Sequence, residues 1–227
     1  VPDLRGYGRS AALPGPYGTA TQAHDMARLL DALGIARAHV MGYSMGGIVA
    51  QQFALLYPER VGKLVLAATW ACKTQTAKER WEGWALPLVL RRVRGRHLSR
   101  WLNPRTARMV TGLGDPEYVD WYKHVLATNN DAALRQSAKD IHCFDSRASL
   151  AQLRMPALVI GGTADDVVPP YHFKMLARLL PHARLQLVGG AGHLLIYTHA
   201  GETASRIRRF LLEPPAGLPQ EKNGAGA

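Results

Sequence analysis

Three kinds of side chain in this sequence have the types and settings to do chemistry together: a serine in a glycine-flanked turn, two adjacent carboxylates, and a histidine behind a glycine loop. Ser44 lies within Gly42-Tyr43-Ser44-Met45-Gly46-Gly47, between the apolar run Ala38 to Met41 and a helix-patterned stretch, Ile48 to Tyr57, that stops at Pro58. That context predicts strand, sharp turn, helix. A serine at the centre of Gly-x-Ser-x-Gly is pressed into a strained backbone conformation. Small residues two before it (Gly42) and two after it (Gly46) let strand and helix close on each other and lift Oγ clear. The first N–H groups of the new helix point into the same space and offer partial positive charge to an anion forming there. Asp165 and Asp166 follow the apolar run that ends at Gly162, and His193 follows Gly190-Ala191-Gly192. Of the nine histidines only His193 sits in a glycine loop just past a predicted core strand. His24, His39, His142, His172 and His199 read as structural or exposed.

The elements that must position these groups alternate. Thr21 to Leu33 carries apolar residues at Met26, Leu29, Leu30 and Leu33, the spacing of an amphipathic helix, and Gly34 closes it. Ala38 to Met41 and Lys63 to Ala68 are short enough to be buried strands. Ala157 to Gly162 is a further strand, followed by a helix behind Pro169-Pro170 that runs through Leu180. Arg184 to Val188 reads as the next strand and Thr198 to Leu212 as a final helix. Strands joined by crossovers of this length predict a mostly parallel sheet with helices on both faces, and sites in such sheets lie beyond the strand carboxyl ends.

Between the second and third strands the alternation stops. The stretch from Trp70 to about Leu153 is rich in Trp, Tyr and Arg, is helical by composition, and is expected to break at Pro87, Pro104 and Pro116. The expected organisation is a first part of the core over 1–69, an inserted helical cap over 70–153, a second part of the core over 154–212 and a disordered tail over 213–227. Trp81, Trp84, Trp101, Tyr118, Trp121 and Tyr122 are expected either to line a lipophilic pocket under the cap or to form the cap's own core.

With 227 residues, 47% of them hydrophobic, one α/β domain with one insertion is the natural size. No run of eighteen uncharged apolar residues occurs, so no membrane-spanning helix is expected. The formal charge of +11 comes from 28 basic against 17 acidic residues, and part of the excess is local, with seven arginines and no acid between Arg91 and Arg108. No recognition motif for nucleic acid accompanies that run, so no nucleic-acid partner is expected. Arg91, Arg92, Arg94 and Arg96 could instead draw anionic substrates or anionic lipid surfaces. Cys72 and Cys143 are too few for a disulfide framework or a structural zinc site and read as free thiols, with a bridge across the neck of the insertion as the alternative in an oxidising compartment. Nothing has metal-ligand spacing or a dinucleotide fingerprint, so neither metal nor organic cofactor is expected.

Taken in order, Asp3-Leu4-Arg5-Gly6-Tyr7-Gly8-Arg9-Ser10, Gly42 to Gly47, Gly162-Thr163-Ala164-Asp165-Asp166-Val167-Val168-Pro169 and Gly190-Ala191-Gly192-His193 resemble the α/β-hydrolase family of serine esterases, lipases and lactonases, as far as Leu212. The resemblance implies that Ser44 is the nucleophile, His193 the general base and Asp165 the acid that fixes the imidazole tautomer, with Asp166 as the second choice. It also implies that the N–H of Met45 donates to the oxyanion. The family's other oxyanion donor comes from a loop that precedes Asp3 in family order, so about forty to sixty further residues with additional strands are expected upstream. Their absence would leave Ala38 to Met41 at an open sheet edge and the chain a slow, aggregation-prone catalyst.

A serine at the nucleophile position, where the family's dehalogenases and epoxide hydrolases need a carboxylate, favours acyl transfer through an acyl-Ser, most simply to water. The expected function is therefore hydrolysis of small-molecule carboxylic esters with a lipophilic part. A lactonase, C–C hydrolase, acyltransferase or perhydrolase on the same three residues is the alternative. A protein that binds ligand without turnover is the reading from another class.

Overall fold

The computed structural model describes residues 1–92, 117, 120, 121, 124 and 128–214, with the side chains of 86–92 left aside. Its strands are β1 (Ala38–Tyr43), β2 (Val61–Ala67), β3 (Ala157–Gly162) and β4 (Ala183–Val188), and they form one sheet in chain order, parallel throughout. The helices are α1 (Thr19–Ala32), α2 (Met45–Leu56), α3 (Ala77–Arg92), α4 (Asp131–Cys143), α5 (Pro170–Leu179), a short α6 (Leu195–Thr198) and α7 (Ala200–Leu212).

Burial along the sheet follows strand position. Leu64, Val65, Leu66 and Ala67 of β2 and Leu158, Val159 and Ile160 of β3 are fully buried, because each strand is paired on both sides and covered on both faces. β1 and β4 are the outer strands among the described residues, and there Met41 and Leu185 are exposed. α2 packs on β1 and β2, α1 packs on α2, and α5 covers β3 and β4. α7 lies beside the other pleat of β1, where Ile207 and Leu211 share a groove with His39 and Met41. Its carboxyl end is fastened by Lys63, a buried cation on β2 whose Nζ donates to the carbonyls of Phe210 (2.7 Å), Leu211 (3.1 Å) and Glu213. A cation is favoured there because the last helical carbonyls lack donors and carry the negative end of the dipole.

Several boundaries differ from the sequence reading, and α1 and β2 each begin two residues earlier, at Thr19 and Val61. The elbow helix begins directly at Met45, and β1 runs two residues further, to Tyr43, so the turn between them is Ser44 alone. α3 continues through Pro87 to Arg92. A proline there forfeits one N–H···O bond to the Gly83 carbonyl, a loss that breaks a helix only when nothing else holds it. The final helix is divided, since His199 leaves helical geometry (φ −127°, ψ 39°) and separates α6 from α7. Cys72 and Cys143 are free thiols, the first buried and the second exposed. Pro104, Pro116 and the tail beyond residue 214 lie outside the described residues. Among the described residues no helix is long and apolar enough to cross a membrane.

Residues 68–156 join two strands that are sheet neighbours, and the described parts of this excursion are held to the core by polar contacts. Thr76 Oγ1 accepts from the Glu79 N–H (3.1 Å) while Glu79 Oε2 accepts from the Thr76 N–H (3.2 Å), a reciprocal cap that starts α3. Glu79 Oε1 accepts from Tyr171 Oη (2.6 Å) and faces His172 Nε2 (2.7 Å), so the same carboxylate ties α3 to α5. α4 is capped by Asn130, whose side chain accepts from the N–H groups of Ala132 and Ala133.

Candidate active site

Ser44 sits at φ 51° and ψ −120°, a conformation that L residues rarely adopt, and its N–H donates to the Ala67 carbonyl (2.9 Å), so the strained turn is anchored to the end of β2. Gly42 makes the turn possible. A Cβ there would lie 2.2 Å from the Gly46 carbonyl oxygen and 2.6 Å from Gly47 Cα. The second tight position is Gly47 and not Gly46: a Cβ on Gly47 would meet the Thr69 side chain at 2.5 Å, whereas one on Gly46 meets nothing within 4 Å. The expectation that Gly46 must be small for close packing is thus corrected, because a side chain there would project into open space.

The loops after β3 and β4 bring the other two groups to Ser44. His193 Nε2 is 2.9 Å from Ser44 Oγ, and His193 Nδ1 is 2.9 Å from Asp165 Oδ2. Asp165 is buried, and its Oδ1 accepts from the N–H groups of Val167 (3.0 Å) and Val168 (2.7 Å), so the carboxylate is oriented from both oxygens. Asp166 is exposed. The two loops touch: a Cβ on Gly162 would collide with the Ala191 carbonyl oxygen at 2.0 Å, and the Ala164 N–H donates to that carbonyl (2.9 Å). With Nδ1–H donated to Asp165, Nε2 is left as an acceptor facing the serine hydroxyl.

Met45 opens α2, so its N–H is one of the helix's first, unsatisfied donors. Its sulfur lies 3.8 Å from Tyr7 Oη, which also donates to the Ala133 carbonyl (3.3 Å) and shares a hydrogen bond with Ser137 Oγ. Burial raises the Tyr7 pKa, against the lowering pull of Ser137, so the phenol stays a neutral donor.

Sequence reasoning missed two sets of residues. Tyr43 donates from Oη to the His193 carbonyl (2.9 Å), and its ring is 5.5 Å from the imidazole. Nothing marks it in advance, since the position before the serine carries no pattern. Glu79 was missed, and His172 was read only as structural or exposed, because their pairing crosses 93 residues of chain. The Thr76-x-x-Glu79 capping signature was the only local clue.

The aromatic residues depart from expectation. Trp81 and Trp84 are 65% and 68% exposed, so neither lines a closed pocket nor forms a cap core. Trp121 is 49% exposed and stands 6.4 Å, ring to ring, from Tyr197. Trp101, Tyr118, Tyr122, Arg94 and Arg96 lie outside the described residues, as do the side chains of Arg91 and Arg92. Among the described residues no three His, Cys, Asp or Glu side chains cluster closely enough to hold a metal ion.

A family model described as the alpha/beta hydrolase fold matches residues 1–200. The chain is 32% identical over 220 residues to a poly(3-hydroxyalkanoate) depolymerase of Ectopseudomonas oleovorans, covering 92% of this chain and 73% of that one. It resembles the solved enol-lactonase from Burkholderia xenovorans LB400 with a TM-score of 0.78 at 28% identity, covering 93% of this chain and 79% of the other. A thermophilic esterase from Thermogutta terrifontis matches with a TM-score of 0.73 at 28% identity, over 92% and 78% of the two chains.

Proposed function

We propose, for a chain that belongs to the alpha/beta hydrolase fold family, that it hydrolyses carboxylic esters through an acyl-Ser44 intermediate. The observation that carries this reading is the continuous hydrogen-bonded path from Ser44 Oγ through both ring nitrogens of His193 to Asp165. The relatives named a depolymerase of a polyester and an esterase support the same class of bond.

In this mechanism His193 Nε2 takes the Ser44 proton as Oγ bonds to the ester carbonyl carbon and the carbonyl π pair moves onto oxygen. The Met45 N–H, at the positive end of α2, stabilises that oxyanion. When the oxyanion collapses the C–O bond to the alcohol breaks, and the alcohol leaves with the proton held on His193. Water then repeats the sequence from the other side: His193 takes its proton, the new C–O bond forms, Ser44 departs reprotonated, and the carboxylic acid is released. Asp165 keeps its charge throughout and holds Nδ1–H.

A fluorophosphonate should label Ser44, with the adduct located by peptide mass spectrometry, and p-nitrophenyl esters should be turned over. Ser44→Ala should abolish both. A folded protein that is neither labelled nor active on esters would overturn the reading. The likeness to an enol-lactonase supports a second reading in which the ester is cyclic and the leaving alcohol stays tethered to the acyl group. Comparison of kcat/KM on matched open and cyclic esters separates the two.

A further inference from the structure

The first turns of α3, over residues 77–85, are inside out. Glu79, the one buried side chain among their described residues, faces the core, and Gly83 faces His142 of α4 at 3.9 Å from its would-be Cβ. Trp81 and Trp84, three residues apart and hence on one face, are turned to solvent with about two thirds of their surface exposed. An ordinary surface helix does the reverse, with aromatic rings inward and carboxylates outward. Leaving two indoles in water forfeits the burial free energy of the largest apolar side chains, and neighbouring exposed tryptophans mark a surface that meets something other than water.

The charges beside them define that partner. Lys78 and Arg80 are exposed on either side of Glu79, whose carboxylate is already taken up by Tyr171, His172 and the backbone of Gln75 and Thr76, and the one other acid of these turns, Glu82, is half-buried and close enough to Tyr171 to act on its phenol. The helix sequence ends in Arg91-Arg92, and the whole chain carries a formal charge of +11. Indoles flanked by cations suit the boundary layer of an anionic lipid surface, where the rings enter the headgroup region and Lys and Arg meet phosphate. Bare apolar contact between two copies would bring like charges together.

We propose that the Trp81–Trp84 face of α3 docks this protein on anionic lipid–water interfaces. The residues sit on the excursion between β2 and β3, outside the hydrolytic machinery, and binding is read without ester, so failure of the esterase reading leaves this test intact. Co-sedimentation of the full chain is measured with phosphatidylcholine vesicles and with vesicles in which about a third of the lipid is phosphatidylglycerol. The wild-type chain should sediment with the anionic vesicles only, and less so as salt rises. Trp81→Ala with Trp84→Ala should weaken that binding at least about tenfold, and Lys78→Gln with Arg80→Gln should flatten the salt dependence. Turnover of a short soluble ester by any form that is active should stay within about twofold. Should the double alanine variant not fold, the single variants make the same comparison. Absence of wild-type binding, or equal binding by the tryptophan variants, overturns the proposal. So does a tryptophan-dependent dimer in sedimentation velocity without vesicle binding, which would assign the face to a second copy.

Discussion

Among the described residues two buried acid–histidine pairs stand in this fold, and they have nearly the same separation. Asp165 and His193 meet at 2.9 Å through Nδ1, and Glu79 and His172 meet at 2.7 Å through Nε2. What separates them is the imidazole's other nitrogen. In His193 it faces a hydroxyl held on a strained turn, so a proton accepted there leaves behind a nucleophile. In His172 it faces the Gln75 side-chain amide at 2.9 Å, a closed arrangement with both nitrogens satisfied and nothing to activate. Burial of a carboxylate against a histidine therefore does not by itself assign a catalytic role; in the proposed mechanism the third partner makes the difference.

The largest expected effects break the first pair. Ser44→Ala and His193→Ala should each lower ester turnover by about 10⁴–10⁶, and the double variant should lose no more, because these groups act as a unit. Asp165→Asn presents a donor to Nδ1 and favours the wrong tautomer, for a loss on the order of 10⁴. Asp166→Asn, on an exposed side chain, should stay within about threefold, as should Glu79→Gln in the second pair. Steady-state kinetics on a soluble p-nitrophenyl ester tests all of these, and a severe Glu79→Gln effect on kcat would make the two pairs functionally coupled.

Next come the glycines that allow the strained turn. Gly42→Ala drives a Cβ against the Gly46 backbone, which cannot move aside as a side-chain end would. A loss of at least about 1–3 kcal/mol of stability is expected, together with most of the activity. Gly46→Ala has open space and a helical position, so it should be neutral or stabilising by up to about 1 kcal/mol. Chemical denaturation of the two variants gives the comparison directly.

The second pair should show itself in stability against pH. Burial raises the Glu79 pKa, but hydrogen bonds from Tyr171, the Thr76 N–H, His172 and the Gln75 N–H outweigh it, and the net position is below the usual carboxylate range. Burial lowers the His172 pKa, more than the Glu79 carboxylate raises it. Burial and the same carboxylate push the Tyr171 phenol up to about 12, so it remains a donor across the accessible range. Both depressed groups bind fewer protons folded than unfolded. The His172 contribution is complete above an unfolded pKa of about 6.5 and is lost as pH falls through the lower folded value; that of Glu79 is complete above about 4.3 and is lost further down. The wild-type Tm should fall over both windows. His172→Gln should remove the upper component and Glu79→Gln the lower, at a cost of about 1–3 kcal/mol near neutrality for the carboxylate change. A Tm insensitive to pH between these limits would mean that the pair is not buried as described.

How much of this was legible in the sequence depended on whether the physics is local. β3 was placed residue for residue because a short apolar run behind a proline admits one reading, and the helix expected behind Pro169-Pro170 differs by one residue at each end, running from Pro170 to Leu179. The serine, both aspartates and His193 were legible because each lies within a few residues of a turn whose glycines announce it. The outward turn of Trp81 and Trp84 on α3 was not, because a period of three to four residues says which side chains share a face and nothing about which face turns inward. There a buried carboxylate serving as cap and clamp overrides the hydrophobic pattern. The requirement at Gly47 was hidden for a similar reason, since it comes from Thr69 on another segment.

The smallest expected effect concerns Tyr43, which the sequence did not mark. Its hydroxyl donates to the His193 carbonyl and its ring lies against the imidazole, so it holds the His193 loop from the β1 side while Asp165 holds it from the β3 side. Tyr43→Phe keeps the ring and removes one hydrogen bond of about 1 kcal/mol, which corresponds to about fivefold in kcat if all of it goes into placing Nε2 against Ser44. KM should not change, because no substrate contact is removed, and the pH profile should not shift, because the partners of both ring nitrogens are intact. If the Asp165 contact and the Ala164-to-Ala191 bond fix the loop unaided, the loss will be under about twofold, and the first pair is then as self-contained as the second.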